Sequence, residues 1–276
     1  MGSVTIGVVV CVPMPISGSA ANQAGWCIVS QGPVPLRSWW APAGGSAQAA
    51  GRTPSRRKAV LVLPEVFGVN GWVRSVADRI AALGVPALAM PLFARTAPDL
   101  ELDYTAEALA EGRRHKDACS TEQILTDVKA AITWLEAALK PAESAAAPLE
   151  ITVVGFCFGG HAALLAASLP EVSHTFDFYG AGVVQGRPGG GAPSLELVPQ
   201  VQGQLTCLCG TADPLIPAAD RRAIAAALAS ADPSGERLRY EELAAADHGF
   251  MCEARDSFDA AASQRGWQLL RESLQA

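Results

Sequence analysis

Charged side chains are scarce in this chain: Asp, Glu, Lys and Arg make up 17% of its 276 residues, where about 25% is usual for a soluble domain. Uninterrupted apolar runs are missing too. No stretch reaches the roughly 18 residues that a membrane-spanning helix needs, so no membrane partner of that kind is expected. A basic excess is absent. The net charge is −6 and the pI about 5.3, the wrong sign for a phosphate backbone, so no nucleic-acid partner is expected either. No Lys or Arg precedes Arg37. The apolar stretch 4–12 therefore lacks the basic flank of a secretory signal, and Pro13 and Pro15 cut it short. It reads as part of an N-terminal extension or opening strand within residues 1–25, and the expected location is cytoplasmic. Paired cysteine spacings are also absent. The seven cysteines, at 11, 27, 119, 157, 207, 209 and 252, are odd in number and form no C-x-x-C. That argues against a disulfide framework or a zinc site and for reduced thiols.

What the chain does have is apolar area. Hydrophobic residues are 50% of it, ample to offset the ordering entropy of folding, which excludes a disordered chain. Segments 26–30 and 35–40 are short strand-like runs around a Gln-Gly-Pro break, an antiparallel hairpin. The Gly-, Ala- and Ser-rich stretch 42–57 reads as an exposed loop. From Lys58 onward strands and helices alternate. Residues 59–63 form a continuous apolar run suited to a strand buried on both faces. Residues 71–83 have helical spacing through Val73, Val76, Ala77 and Ile80 and stop at Gly84. Further strands are expected at 85–90, 149–154, 174–179, 204–209 and 237–243, and helices at 121–139, 159–169, 218–231 and 256–274. The alternation predicts an α/β fold with a mostly parallel central sheet, helices on both faces and the N-terminal antiparallel hairpin. Nothing suggests a second core, so residues 26–276 read as a single domain. The Gly- and Pro-rich segment 183–203 is longer than an ordinary connection and reads as a loop over a site.

The chemistry centres on Val153-Val-Gly-Phe-Cys157-Phe-Gly-Gly-His161. This is G-x-C-x-G after a strand and before a helix, the context of the G-x-S-x-G nucleophile elbow. Glycines two residues either side of the nucleophile leave room for a sharp, strained turn. The sulfur would then project from the carboxyl end of the sheet over a helix N-terminus, where dipole and free N–H groups favour negative charge. The Phe158 N–H would face a developing oxyanion. A cysteine nucleophile needs a base and the base an orienting acid. Only four histidines exist, at 115, 161, 174 and 248. His115 lies in a charged helical stretch and reads as solvated; His174 begins a strand and reads as structural. His161, one turn past Cys157, could line the site without reaching the sulfur. His248 follows the last strand, and Asp213 follows the one before it. The order Cys157, Asp213, His248 is the nucleophile–acid–histidine order of α/β-hydrolases, each member just past the carboxyl end of a strand, where such sheets build sites.

Together with Pro64-Glu-Val-Phe-Gly-Val-Asn70, Gly210-Thr-Ala-Asp213, His248-Gly-Phe250 and, more weakly, Pro91-Leu-Phe-Ala-Arg95 and Tyr179-Gly180, these residues resemble the dienelactone hydrolase (carboxymethylenebutenolidase) family of α/β-hydrolases over residues 26–274. The resemblance implies hydrolysis of a small ester or lactone, with no metal or organic cofactor. It implies that Glu65 contacts Cys157 at rest and is displaced by substrate, keeping the sulfur protonated until needed. The Val66 N–H becomes the second oxyanion donor, and Phe67, Arg95, Tyr179 and Phe250 the candidate substrate contacts. The family's carboxylate-binding arginines are not matched. One position is Cys252, the other falls near Ala110, and Gly249 stands where a serine often follows the histidine. Arg95, Arg113, Arg114 and Arg255 are near enough to substitute, although each also reads as a surface charge. The expectation is a Cys157–His248–Asp213 hydrolase, monomeric or a small homo-oligomer, with a small-molecule partner. The competing expectation is a non-hydrolytic binding or redox-sensing protein that uses Cys157.

Overall fold

The computed structural model describes residues 23–44, 57–140 and 148–276. The expected opening strand, Cys11 and most of the expected 42–57 loop lie outside them. Eight strands form one sheet in the order β1-β2-β4-β3-β5-β6-β7-β8. β1 (Gly25–Val29) and β2 (Leu36–Ala41) are the expected hairpin, and β2 pairs antiparallel with β4 (Ala87–Ala89). β3 (Arg57–Leu63), β5 (Leu149–Phe156), β6 (Val172–Phe178), β7 (Gln204–Gly210) and β8 (Leu238–Leu243) continue from β4 with parallel pairing throughout.

The apolar run in β3 has the burial its composition demands. Residues 59–63 are wholly buried, and they alternate between two apolar clusters, Val60 and Val62 in one, Ala59, Leu61 and Leu63 in the other. The clusters therefore cover opposite faces of the sheet. The first packs α1 (Gly71–Ala82) and α6 (Ala260–Gln275) through Val76, Ile80, Trp267 and Leu270. The second packs α3 (Thr121–Ala138) and α4 (Phe158–Ala166) through Ile124, Val128, Ala163 and Leu165. Caps set the helix starts. Asn70 Oδ1 accepts the Val73 N–H at 3.2 Å, and Ser120 and Gln123 form a reciprocal capping box at α3. α5 (Ala218–Ala231) lies between β7 and β8 in the chain.

The structure differs from expectation mainly where the sequence is polar. α2 (Ala106–Asp117) buries only Ala108 and Gly112, so it has almost no apolar stripe to read. The 183–203 segment carries a short 3-10 helix, Ser194–Gln200. The last helix starts at Ala260, where the Asp259 side chain caps the Ala262 N–H at 2.8 Å, and not at Asp256. Among the described residues no helix is long and apolar enough to cross a membrane.

Candidate active site

β5 lies between β3 and β6 and runs to Phe156, while α4 begins at Phe158. Cys157 alone must reverse the chain. Its φ of 55° and ψ of −118° lie outside the conformations an L-residue adopts without strain. The turn closes because its flanks lack side chains. A Cβ on Gly155 would stand 1.9 Å from the Gly159 carbonyl oxygen, and one on Gly159 2.3 Å from that of Leu63. Two backbone hydrogen bonds hold the result. The Cys157 N–H donates to the Phe178 carbonyl at 3.0 Å, and the His161 N–H to the Cys157 carbonyl at 3.1 Å. The Phe158 N–H, first in its helix, has no intrahelical acceptor.

Asp213 and His248 follow adjacent parallel strands, β7 and β8, and the two loops are stitched together. Thr211 N–H donates to Leu243 O at 2.9 Å and Ala212 N–H to Ala246 O at 3.0 Å; Ala245 N–H donates to Thr211 Oγ1 at 2.7 Å. Asp213 Oδ1 accepts the Leu215 N–H at 2.8 Å, leaving Oδ2 for His248 Nδ1, also at 2.8 Å. Burial opposes charge on the His248 ring, yet Cys157 and Asp213 outweigh it, and its pKa is pushed up to about 10. Nε2 is buried with no hydrogen-bond partner. Tyr179 meets the ring edge-on at 5.2 Å and is itself braced by Phe250 at 4.9 Å.

Glu65 follows β3 and is wholly buried. Its Oε1 accepts from Arg255 at 2.8 Å, so its ion pair is with that arginine, while Oε2 has no partner. Burial raises its pKa against the pull of Arg255 and His248. Arg255, which the sequence also allows as a surface charge, is only 20% exposed at its side chain.

A cavity of about 530 Å³ opens over Cys157 and His248. Val66, Phe67 and Phe158 form one side, Ala181, Gly182 and Gln185 another, and Leu109, Arg113 and Lys116 of α2 a third. α2 can approach because Gly112 has no side chain; a Cβ there would lie 2.2 Å from the Val66 carbonyl oxygen. Of the candidate substrate contacts, Phe67 lines this cavity. Arg95 instead forms an ion pair with buried Asp127, and Tyr179 and Phe250 stand behind His248, fully buried. Arg114 is exposed and does not line the cavity. The charged helical stretch around His115 is α2, but the sequence set no bounds for it, so the α2 wall was not foreseen. Thr105, whose hydroxyl caps the Ala108 N–H at 3.2 Å, followed by Glu107, was the available start signal.

His161 is tied to Ala181 O at 3.0 Å and Ser194 Oγ at 2.7 Å, and His174 to Ser273 Oγ at 2.6 Å. Each described cysteine is a free thiol, and no group of three His, Cys, Asp or Glu among the described residues could hold a metal ion.

A sequence profile of the dienelactone hydrolase family matches residues 46–276. A Synechocystis protein named "Putative carboxymethylenebutenolidase" is 38% identical over 216 residues, 78% of this chain and 85% of that protein. Carboxymethylenebutenolidase of Pseudomonas putida is 28% identical over 205 residues, 74% of this chain and 79% of that one. The crystal structure titled "Putative Dienelactone Hydrolase" from Klebsiella pneumoniae superposes with a TM-score of 0.71 at 22% identity, covering 90% of this chain and 96% of the other. This chain belongs to the dienelactone hydrolase family and is a carboxylic ester hydrolase of the α/β-hydrolase fold.

Proposed function

We propose that the protein hydrolyses a small carboxylate-bearing ester or lactone through an acyl-cysteine at Cys157. The observation that carries this reading is the 2.8 Å Asp213–His248 contact beside a cysteine held at φ 55° by two side-chain-free neighbours. His248 takes the Cys157 thiol proton, the sulfur adds to the ester carbonyl carbon, and the carbonyl π pair moves onto oxygen. Val66 and Phe158 N–H groups hold that oxyanion. The intermediate collapses, the C–O bond to the alcohol breaks, and His248 protonates the departing oxygen. His248 then takes a proton from water, the hydroxide adds to the thioester, and the Cys157 sulfur leaves as the acid is released. Asp213 keeps Nδ1 protonated, so that Nε2 carries the moving proton.

Two features of the cavity support the acidic substrate. Arg113 stands at its wall with no ion pair among the described residues. Lys116 and Arg255 join it in the same lining, each paired with a carboxylate, Asp117 and Glu65, while Asp247 is the acidic residue of that lining. Glu65 is the residue that tunes the site, its carboxylate held by Arg255 of the cavity lining. The test is turnover of a lactone and ester panel, with and without a free carboxylate, by the native protein, Cys157→Ala and His248→Ala. Hydrolysis lost in both variants, with a covalent adduct of acyl mass on native protein, is the expected result. Turnover unchanged in both variants rejects the triad.

A further inference from the structure

A second hollow of about 350 Å³ adjoins the active-site cavity, sharing Lys116, Phe158, Ala181, Gly182 and Gln185 with it and reaching Arg187, Pro188 and Gly189. The wall of this limb is a built one. His161 binds Ala181 and Ser194 together from α4. Thr121 N–H and Oγ1–H both donate to the Pro188 carbonyl, at 2.8 and 3.0 Å. Gly189, at φ 82°, packs so closely on α3 that a Cβ would fall 2.7 Å from that of Ser120. The long segment therefore lines the site through Gln185 and is fastened to α3 and α4 at several points.

One cation on this wall has nothing to neutralise it. Lys116 pairs with Asp117 at 2.7 Å, but Arg187 has no ion pair among the described residues. Its Nε is buried without any partner, and its Nη2 makes only a 3.4 Å contact with the Pro193 carbonyl. A guanidinium with no carboxylate partner keeps Nη donors free, and a hydrogen bond from them to an oxyanion is of the strong, charge-assisted kind. We propose that the limb is a second subsite, in which Arg187 receives a carboxylate at the far end of an extended ester substrate. The proposal rests on the hydrolase reading of the Cys157 cavity and extends it from a small substrate to one with a distal acidic group.

The test uses 4-nitrophenyl monoesters of adipate and suberate, whose carboxylate ends the acyl chain. A second series places the carboxylate at the end of a matched alcohol chain. Each ester has a neutral amide-capped counterpart. In at least one series the longer charged ester is expected to have a KM about tenfold below that of its neutral counterpart, the worth of a charge-assisted hydrogen bond. Arg187→Gln abolishes that preference and leaves KM and kcat for the neutral esters unchanged; Arg187→Lys restores part of it. Equal KM values for charged and neutral esters in both series, or a preference that survives Arg187→Gln, overturn the proposal. If no ester is turned over, the hydrolase reading fails separately. Calorimetric binding of suberate to native protein and not to Arg187→Gln then supports the subsite, and equal binding to both overturns it.

Discussion

His161 and His248 are buried almost equally, at 5% and 6% exposure, yet the fold gives them opposite properties. Burial opposes a charged ring in both. Around His161 only the neutral Ala181 carbonyl answers it, and the Lys116 cation adds to the effect of burial. Nδ1–H donates to the Ala181 carbonyl, so Nε2 accepts the Ser194 hydroxyl, and the pKa falls to about 4. Around His248 a carboxylate and a sulfur outweigh burial, and the pKa rises. Exposure alone therefore says nothing about a histidine's work in this protein. The charge of its partners decides: His161 is a neutral strut, and His248 is the proton carrier of the proposed mechanism.

The sharpest way to break the comparison is to make the surroundings of His248 neutral. Asp213→Asn replaces the carboxylate with an amide that can stabilise either tautomer. On the proposed mechanism kcat falls about 10³- to 10⁴-fold, and the His248 ring titrates lower in an NMR pH series. A loss of less than tenfold would remove Asp213 from the mechanism.

His161 offers the converse test, in stability. The unfolded ring binds its proton near 6.5 and the folded ring near 4. Between those values the unfolded state holds more protons, so stability present at neutral pH is lost as pH falls through this window. The gap corresponds to about 3 kcal/mol at most. Denaturant unfolding at pH 7 and pH 4 should show the advantage of the native protein over His161→Asn shrinking by up to that amount on acidification. A difference independent of pH would mean that the folded ring takes up its proton as readily as the unfolded one.

The same contrast explains what could be read from the sequence. Cys157, Asp213 and His248 were legible because backbone geometry restricts the residues beside them. Gly155 and Gly159 are required by carbonyls about to touch them, and each candidate lies past a strand that its apolar run announces. The partners that set the rest of the site are tertiary. Nothing near Arg255 in the chain reveals that it meets Glu65, 190 residues away. The charged helical stretch around His115 gave no bounds for α2, because a helix that buries only an alanine and a glycine carries no 3.6-residue apolar period. The family resemblance suggested Tyr179 as a substrate contact, but the structure places its ring against His248, fully buried.

The smallest expected effect probes the strut itself. Ser194→Ala removes the hydroxyl donated to His161 Nε2 and leaves the Nδ1 bond to Ala181 in place. A buried nitrogen without its donor costs about 1–3 kcal/mol, which an unfolding curve reads directly. The ring is not part of the proposed proton path, so kcat for a small neutral ester should stay within about twofold. That follows because the His161 ring bonds Ala181 and Ser194 and none of the proposed oxyanion donors or triad members. The segment from Ala181 to Ser194 then loses one of its fastenings to α4. Any kinetic change should appear in KM for long substrates, which reach the limb, and not for short ones. A kcat loss approaching that of Asp213→Asn would place His161 in the chemistry and erase the distinction between the two rings.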